Sequence, residues 1–548
     1  MPDHIESEPD APAAGSVSRM PEVGDAPGFA ADGYADIADA IEGSAPPLAS
    51  ELPAEDDGRL ERSSVGDDAD GADADSTTGT NAPRSMGFDV DELNSQFALV
   101  LMGGKAVIVR ELAVASIDER VGILSIEAFQ QWFRNRLTEV AAADGKIKTI
   151  SWANAWMAHR RRRQFVGVEF FPNPDGATGT PGYLNFWSGF GVQPSPQGTY
   201  GVFRDHLLNN ICGSDKALFD YVFAWCAHMV QRPRERIGTA IVLCGKMGTG
   251  KSKFGEVIGS LFPAHYFQVD DARYITGQFN VHMSKCILLQ ADEAVWAGDK
   301  AAEGRLKGLI TSEHQMIESK GIDPFKLRNY VRIIMTSNEE WVVPAGKDER
   351  RYCVLDVDPR CAQNAGYFAE MDEELNNGGR ERLLHDLLAF DLATVDLRHI
   401  PKTRALLEQK LRTLDPIESW LYNRLWCGTL TNEASDWAES VTASIWYDDY
   451  VRSAAQMGVG RKRSAAEFGK KLAKLLPDIR RVRLTEADEH GVSRRVWSYE
   501  LPPLVDCRRA FAHVLNQVVD DWPAAPGEGE RESAHPTDDN SLDDEIPV

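Results

Sequence analysis

Four short motifs lie in a fixed order between Gly245 and Arg351, and their residue types belong to the chemistry of a nucleoside triphosphate. The first is Gly245, Lys246, Met247, Gly248, Thr249, Gly250, Lys251 and Ser252, a full G-x-x-x-x-G-K-S phosphate loop behind the apolar run 239–244. Its three glycines let the backbone turn tightly, so that N–H groups point at phosphate oxygens. A helix starting near Lys251 adds the positive end of its dipole. Lys251 supplies a point charge to the outer phosphates, and Ser252 a hydroxyl to Mg²⁺. The expected cofactors are ATP and Mg²⁺.

The second motif, 286–293, reads as a buried strand ending in Asp292 and Glu293. Asp292 is placed to hold Mg²⁺ with Ser252, directly or through water. Glu293 can orient and deprotonate the attacking water. The third, 331–338, reads as a strand ending in Asn338, which could position the same water and sense the γ-phosphate. The fourth carries Arg350 and Arg351 just before the apolar stretch 352–355. An arginine aimed at the γ-phosphate neutralises transition-state charge. Acids often merely end strands, and paired arginines are often only solvated. Their order behind a phosphate loop is what gives them chemistry.

That order, with a lysine-bearing segment before Thr336-Ser-Asn338, resembles the superfamily 3 helicases, AAA+-type ring ATPases of viruses, phages and plasmids. The closer resemblance is to the helicase part of phage and poxvirus-type primase-helicases. It rests on 183–190 (YLNFWSGF), 225–233 (WCAHMVQRP), 274–280 (YITGQFN), 292–300 (DEAVWAGDK) and 306–311 (LKGLIT), and spans about residues 90–515. The resemblance implies an α/β fold: an AAA+-type P-loop ATPase core with an α+β N-terminal region and a C-terminal winged helix. It implies a homohexamer in which Arg350 or Arg351 reaches the neighbour's nucleotide. It also implies a pore hairpin whose lysine touches single-stranded DNA. Lys320 is the first candidate and Lys326 the second, with Gly321 and Asp323-Pro324 suited to the hairpin tip. The expected activity is that of a phage or prophage replicative helicase on single-stranded and forked DNA, moving 3′ to 5′ in the host bacterial cytoplasm. The rival reading is a nucleotide-switched origin-binding or loader protein without processive unwinding.

These motifs need a scaffold, and composition divides the chain. Residues 1–85 hold 20 acids against 4 arginines and too little bulky apolar content to offset chain entropy, so disorder is expected there. The tail 524–548 holds 8 acids and 1 arginine. Of the net −25, only −2 falls on 86–523, so local basic clusters must attract a nucleic acid. The expected body is an α+β region over 86–200, a helical collar and ATPase domain over 201–400, a helical linker over 401–430 and a winged helix over 431–515. In that last region Arg461 to Arg509 hold 13 basic residues against 7 acidic. Arg461, Lys462, Arg463, Lys470, Lys471, Lys474, Arg494 and Arg495 are its candidate DNA contacts, with Arg480-Arg481 in the same clusters.

The basic run 159–163 is an even choice between a phosphate contact and a solvated surface. Asp89-x-Asp91 resembles a metal pair without a supporting constellation. The 85 leading residues are too few for the primase-polymerase domain that the family often carries upstream, so a separate primase is the expected partner. The tip 543–548 (DDEIPV) resembles the acidic tip of bacterial single-stranded-DNA-binding proteins, with Val548 in place of their terminal Phe. Borrowing of host replication proteins is weighed there against a plain solubilising tail. Eight cysteines without a C-x-x-C pair fit a reduced compartment without structural zinc. No apolar run is long enough for a membrane span.

Overall fold

A computed structural model of the chain describes residues 87–524, apart from 112–120, 142–145, 272, 278–279, 294–299, 320–321, 488–492 and 520. The acidic segment 1–85, Lys320 and the tail beyond Ala524 lie outside the described residues.

The apolar runs flanking the motifs become a parallel sheet. Its order is Tyr266–Val269, Leu288–Asp292, Arg332–Ser337, Ala240–Cys244 and Tyr352–Asp356, every neighbour parallel. The middle strands are buried almost throughout, which is why they read as continuous apolar runs rather than as alternation. The strand bearing Asn338 lies between the phosphate-loop strand and the acid strand. Asp292 pairs with Thr336, and Ser337 with Cys244, so three motifs emerge at one edge of the sheet. Tyr352 pairs with Ala240, which sets Arg350 and Arg351 at the opposite edge.

The N-terminal region folds around an antiparallel pair, Phe97–Met102 and Lys105–Glu111, turning through Gly103-Gly104. Its own core contains Phe97, Phe129, Phe133, Trp152 and Trp156. His265 fastens this region to the body of the parallel sheet. Trp187 stacks on the His265 ring at 4.5 Å, and the Ser188 N–H donates to Nε2 at 3.0 Å. That leaves Nδ1 to carry the proton, which it donates to the Lys285 carbonyl at 2.8 Å. Burial holds His265 down at about 4, so it is neutral at physiological pH. Asp89 and Asp91 are structural: Asp89 caps the helix Val90–Gln96, and Asp91 pairs with Arg161. Three arginines of the basic run turn to protein partners, Arg161 to Asp91, Arg162 to the Met157 carbonyl and Arg163 to Glu111.

The collar is the helix Gly201–Asp205, a π-helical turn His206–Ile211 and the helix Lys216–Gln231. The helical linker expected over 401–430 contains two helices, Arg404–Arg412 and Pro416–Cys427. Asp415 caps the second in a full capping box with Glu418, and Pro416 at its first turn cannot continue the helix before it. The second helix does more than link, because Trp420 and Leu421 enter the C-terminal core with Trp446, Tyr450 and Phe468. Around that core lie the helices Ala443–Gln456, Ala465–Leu475 and Leu504–Val514. The antiparallel pair Arg480–Ala487 and Ser493–Glu500 completes it.

Candidate nucleotide and nucleic-acid sites

The phosphate loop joins Cys244 to the helix Lys251–Gly259, with positive φ at Gly245, Gly248 and Gly250. Gly250 is the tightest: a Cβ there would meet the rings of His206 and Phe368 at 2.7 Å. The buried Lys251 ammonium has three protons and three acceptors. It donates to the Gly245 and Lys246 carbonyls and to Asn338 Oδ1, at 2.7–2.8 Å. Burial lowers its pKa, opposed by Glu293 and Asp292. Asn338 turns its amide nitrogen to Glu293, so it bridges lysine and acid. Glu293 takes a left-handed φ of 54°, a conformation that costs a non-glycine residue about 1 kcal/mol or more. Its N–H donates to the Thr336 carbonyl, which holds the turn.

Asp292 is organised by residues that sequence reading did not single out. Oδ1 accepts from Thr336 Oγ1 at 2.7 Å and Gln290 Nε2 at 2.9 Å, and Oδ2 from Gln268 Nε2 at 2.5 Å. Gln290 Nε2 also donates to the Ser252 carbonyl at 3.2 Å, linking metal-binding candidates of two motifs. One pocket of about 320 Å³ is lined by the loop from Met247 to Ser252 together with Glu293, Thr336, Asn338 and Phe368. A Ser hydroxyl and a carboxylate with one lone pair left on Oδ2 fit Mg²⁺, a hard cation that keeps several waters and takes phosphate oxygens as ligands. The only early signal for Gln290 and Thr336 was their two-residue spacing from Asp292 and Asn338 along the strands, which puts them on the same face.

Arg350 and Arg351 do not join this pocket. The strand Ala240–Cys244, five residues at roughly 3.3 Å each, puts about 17 Å of backbone between them and the phosphate loop. Their environments differ. Arg351 is half-buried and held at 3.3 Å by Glu349, a buried carboxylate that also accepts both arginines' backbone N–H groups. Arg350 is exposed, and its guanidinium makes no ion pair or hydrogen bond among the described residues.

The hairpin pairs His314–Ser319 with Ile322–Arg328. Asp323 and Pro324 are not at its tip. Ser319 pairs with Ile322 and Ile317 with Phe325, so both lie inside the second strand opposite Glu318, at a bulge. A bulge tolerates a residue with no N–H to donate. Asn280, from the YITGQFN stretch, clips the outer edge by bonding the Met316 carbonyl and the Glu318 N–H. Arg236 fixes the hairpin's root through the carbonyls of Leu309 and Asn329. Lys326 is exposed and unpaired among the described residues, across from Met316.

Among the C-terminal candidates, Arg461, Lys462, Arg463, Lys470, Lys474, Arg494 and Arg495 are exposed. Lys471 is a correction. Its ammonium turns inward to Asp415 at 2.6 Å and to Glu418. Successive helix positions diverge by about 100°, so Lys470 and Lys471 cannot share a face.

A family model described as a family of unknown function (DUF5906) matches residues 243–351, the span that contains all four motifs except most of the loop strand. A DNA primase-polymerase of Nitratiruptor phage NrS-1 is 26% identical over 176 residues, 31% of this chain and 24% of that protein. The chain is homologous to that phage protein over this stretch, and the match spans about a quarter of its length. Two apo structures of the NrS-1 C-terminal region superpose with a TM-score of 0.51 at 17% identity, covering 74% of this chain and 96% of theirs. The two proteins share a mixed α/β fold.

Proposed function

We propose that this chain is a phage or prophage replicative DNA helicase, an AAA+-type P-loop ATPase of superfamily 3 that works as a homohexamer. The observation that carries the reading is the division of its chemistry between the two edges of one parallel sheet. The phosphate loop, Asp292, Glu293 and Asn338 meet at one edge, and Arg350, unpaired among the described residues, stands at the other. An arginine a full strand length from the phosphate loop of its own subunit can act only on a neighbour's phosphates, as a ring of such subunits provides. Homology to a phage primase-polymerase supports the setting in DNA replication.

Bound Mg²⁺, held by Ser252 and through Asp292, would neutralise phosphate charge. A γ-phosphate offers Lys251 a stronger acceptor than the neutral Asn338 amide oxygen. Lys251 then shifts to the phosphate, and Asn338 is freed to turn toward the attacking water. Glu293 takes the proton from that water. Asn280 and Arg236 fix the hairpin to the core, so rearrangement at the acid strand reaches the hairpin and its Lys326. The exposed bases of the C-terminal module contact DNA as a winged helix.

The test is ATP hydrolysis and strand displacement on a 3′-tailed fork, with Lys251→Ala as control. The reading expects both activities and their joint loss in the variant. DNA-stimulated hydrolysis without strand displacement would overturn unwinding in favour of an origin-binding or loading role.

A further inference from the structure

We propose that the exposed part of the Trp497 face of the C-terminal hairpin is a stacking platform for an unpaired base of single-stranded DNA, built from Trp497 and flanked by Arg481, Arg483 and Arg495. Along Arg480–Ala487 and Ser493–Glu500 the side chains alternate. Val482, Leu484, Val496 and Ser498 take one face, partly or fully buried. Arg481, Arg483, Thr485, Arg495 and Trp497 take the other, and no acid stands among them. Trp497 is 44% exposed although it lies on a paired strand within a folded module. Arg483 is directly across from it, and the guanidinium carbons of Arg481 and Arg483 lie 4.7 and 4.8 Å from its ring centroid. None of the three arginines forms an ion pair among the described residues.

The face begins under the basic helix Ala465–Leu475. Tyr499, two residues beyond Trp497 on the same side, is buried there, and a Cβ at Gly469 would come within 2.8 Å of its hydroxyl. The ring of Trp497 is therefore next in line after the helix that carries Lys470 and Lys474. An exposed indole among unpaired cations matches an unpaired nucleotide. The base stacks on the ring with little regard to sequence, and its phosphates meet the guanidinium groups. A duplex keeps its bases stacked inside and offers only phosphates. The platform accordingly favours single strands, while Arg461–Arg463 and Lys470 serve either form.

The proposal rests on the reading of this module as DNA-binding, but not on hydrolysis, and its test separates the two. The full chain, without nucleotide, is titrated against a labelled oligothymidine and a duplex of equal length, and against an oligonucleotide carrying 2-aminopurine. Trp497→Ala is expected to weaken single-strand binding about tenfold, as loss of one base–aromatic stack does, and to abolish the 2-aminopurine quenching. Trp497→Phe keeps a ring and stays within about threefold, and duplex affinity changes less than about twofold. Arg481→Ala with Arg483→Ala lowers the salt dependence by about 1.4 in log–log slope. Lys251→Ala leaves all of these values unchanged, so a dead ATPase does not imitate a missing platform. Wild-type single-strand affinity in Trp497→Ala, or an equal loss on duplex, would overturn the proposal.

Discussion

The sheet edge around Lys251 and the C-terminal hairpin around Trp497 use polar groups in opposite ways. At the sheet edge every proton of the Lys251 ammonium has an acceptor, and Asp292 takes three hydrogen bonds. The site is a closed network, and on the proposed reading a triphosphate enters it by exchanging partners. On the hairpin, Arg481, Arg483 and Arg495 are exposed and unpaired among the described residues. Preorganised groups suit chemistry on one substrate in one geometry, whereas unpaired cations on a flat face suit a polyanion that must slide. Arg350 resembles the hairpin more than the pocket. It is a charge at the end of the parallel sheet with no partner among the described residues.

Substitutions sharpen this contrast. Lys251→Ala opens the network at its centre and removes the charge on the outer phosphates. Hydrolysis should fall by three orders of magnitude or more, measured as phosphate release, with the melting temperature little changed. Arg350→Ala should lower hydrolysis by about 10³-fold while leaving nucleotide affinity within about twofold, by equilibrium binding. Arg351→Ala should instead cost about 2 kcal/mol in denaturant unfolding, because it leaves the buried Glu349 carboxylate without its cation. Equal phenotypes for the two arginines would break the distinction drawn from their surroundings.

His265 provides a pH test of the core. Its folded pKa near 4 lies below the unfolded value near 6.5, so between these limits the unfolded chain binds the additional proton. Stability from this group is fully present above about pH 6.5, declines as pH falls, and is lost below about pH 4, a total of roughly 3 kcal/mol. Urea unfolding at pH 7.5 and 5 should report about 2 kcal/mol of that loss, and His265→Gln should flatten it. The smallest effects separate Lys470 from Lys471. Lys470→Ala should weaken DNA binding two- to fivefold and reduce its salt dependence by roughly 0.7–0.9 in slope, depending on whether the strand is single or double. Lys471→Ala should leave DNA binding alone and cost about 1–2 kcal/mol, since Glu418 keeps Lys347 as a second partner.

The same contrast explains what could be read from the amino-acid sequence. The loop Gly245–Ser252 was legible as a strand-to-helix turn because its residues are contiguous and its glycines take positive φ. Asp292, Glu293 and Asn338 were legible because each ends a continuous apolar run. Gln268 and Gln290 were not, since their meaning depends on which strands become neighbours. Asp323-Pro324 carried turn chemistry, but a bulge absorbed it within a strand. Lys471 matched Lys470 in type and differed only in the side of the helix, which Asp415 and Glu418 on another helix decide. Arg350 and Arg351 were inseparable until Glu349 proved to be buried beside one of them.

If Arg350 serves a neighbour's pocket, one catalytic site needs two copies of the chain. Mixing two inactive variants tests it most directly. Lys251→Ala lacks a working pocket but retains Arg350, whereas Arg350→Ala retains the pocket. In mixed assemblies an intact pocket can meet an intact arginine. The account predicts that ATP hydrolysis, absent or near absent in each variant alone, returns on mixing and peaks near equal proportions. Hydrolysis that stays at the level of the separate variants at every ratio, in assemblies verified to contain both, would contradict it.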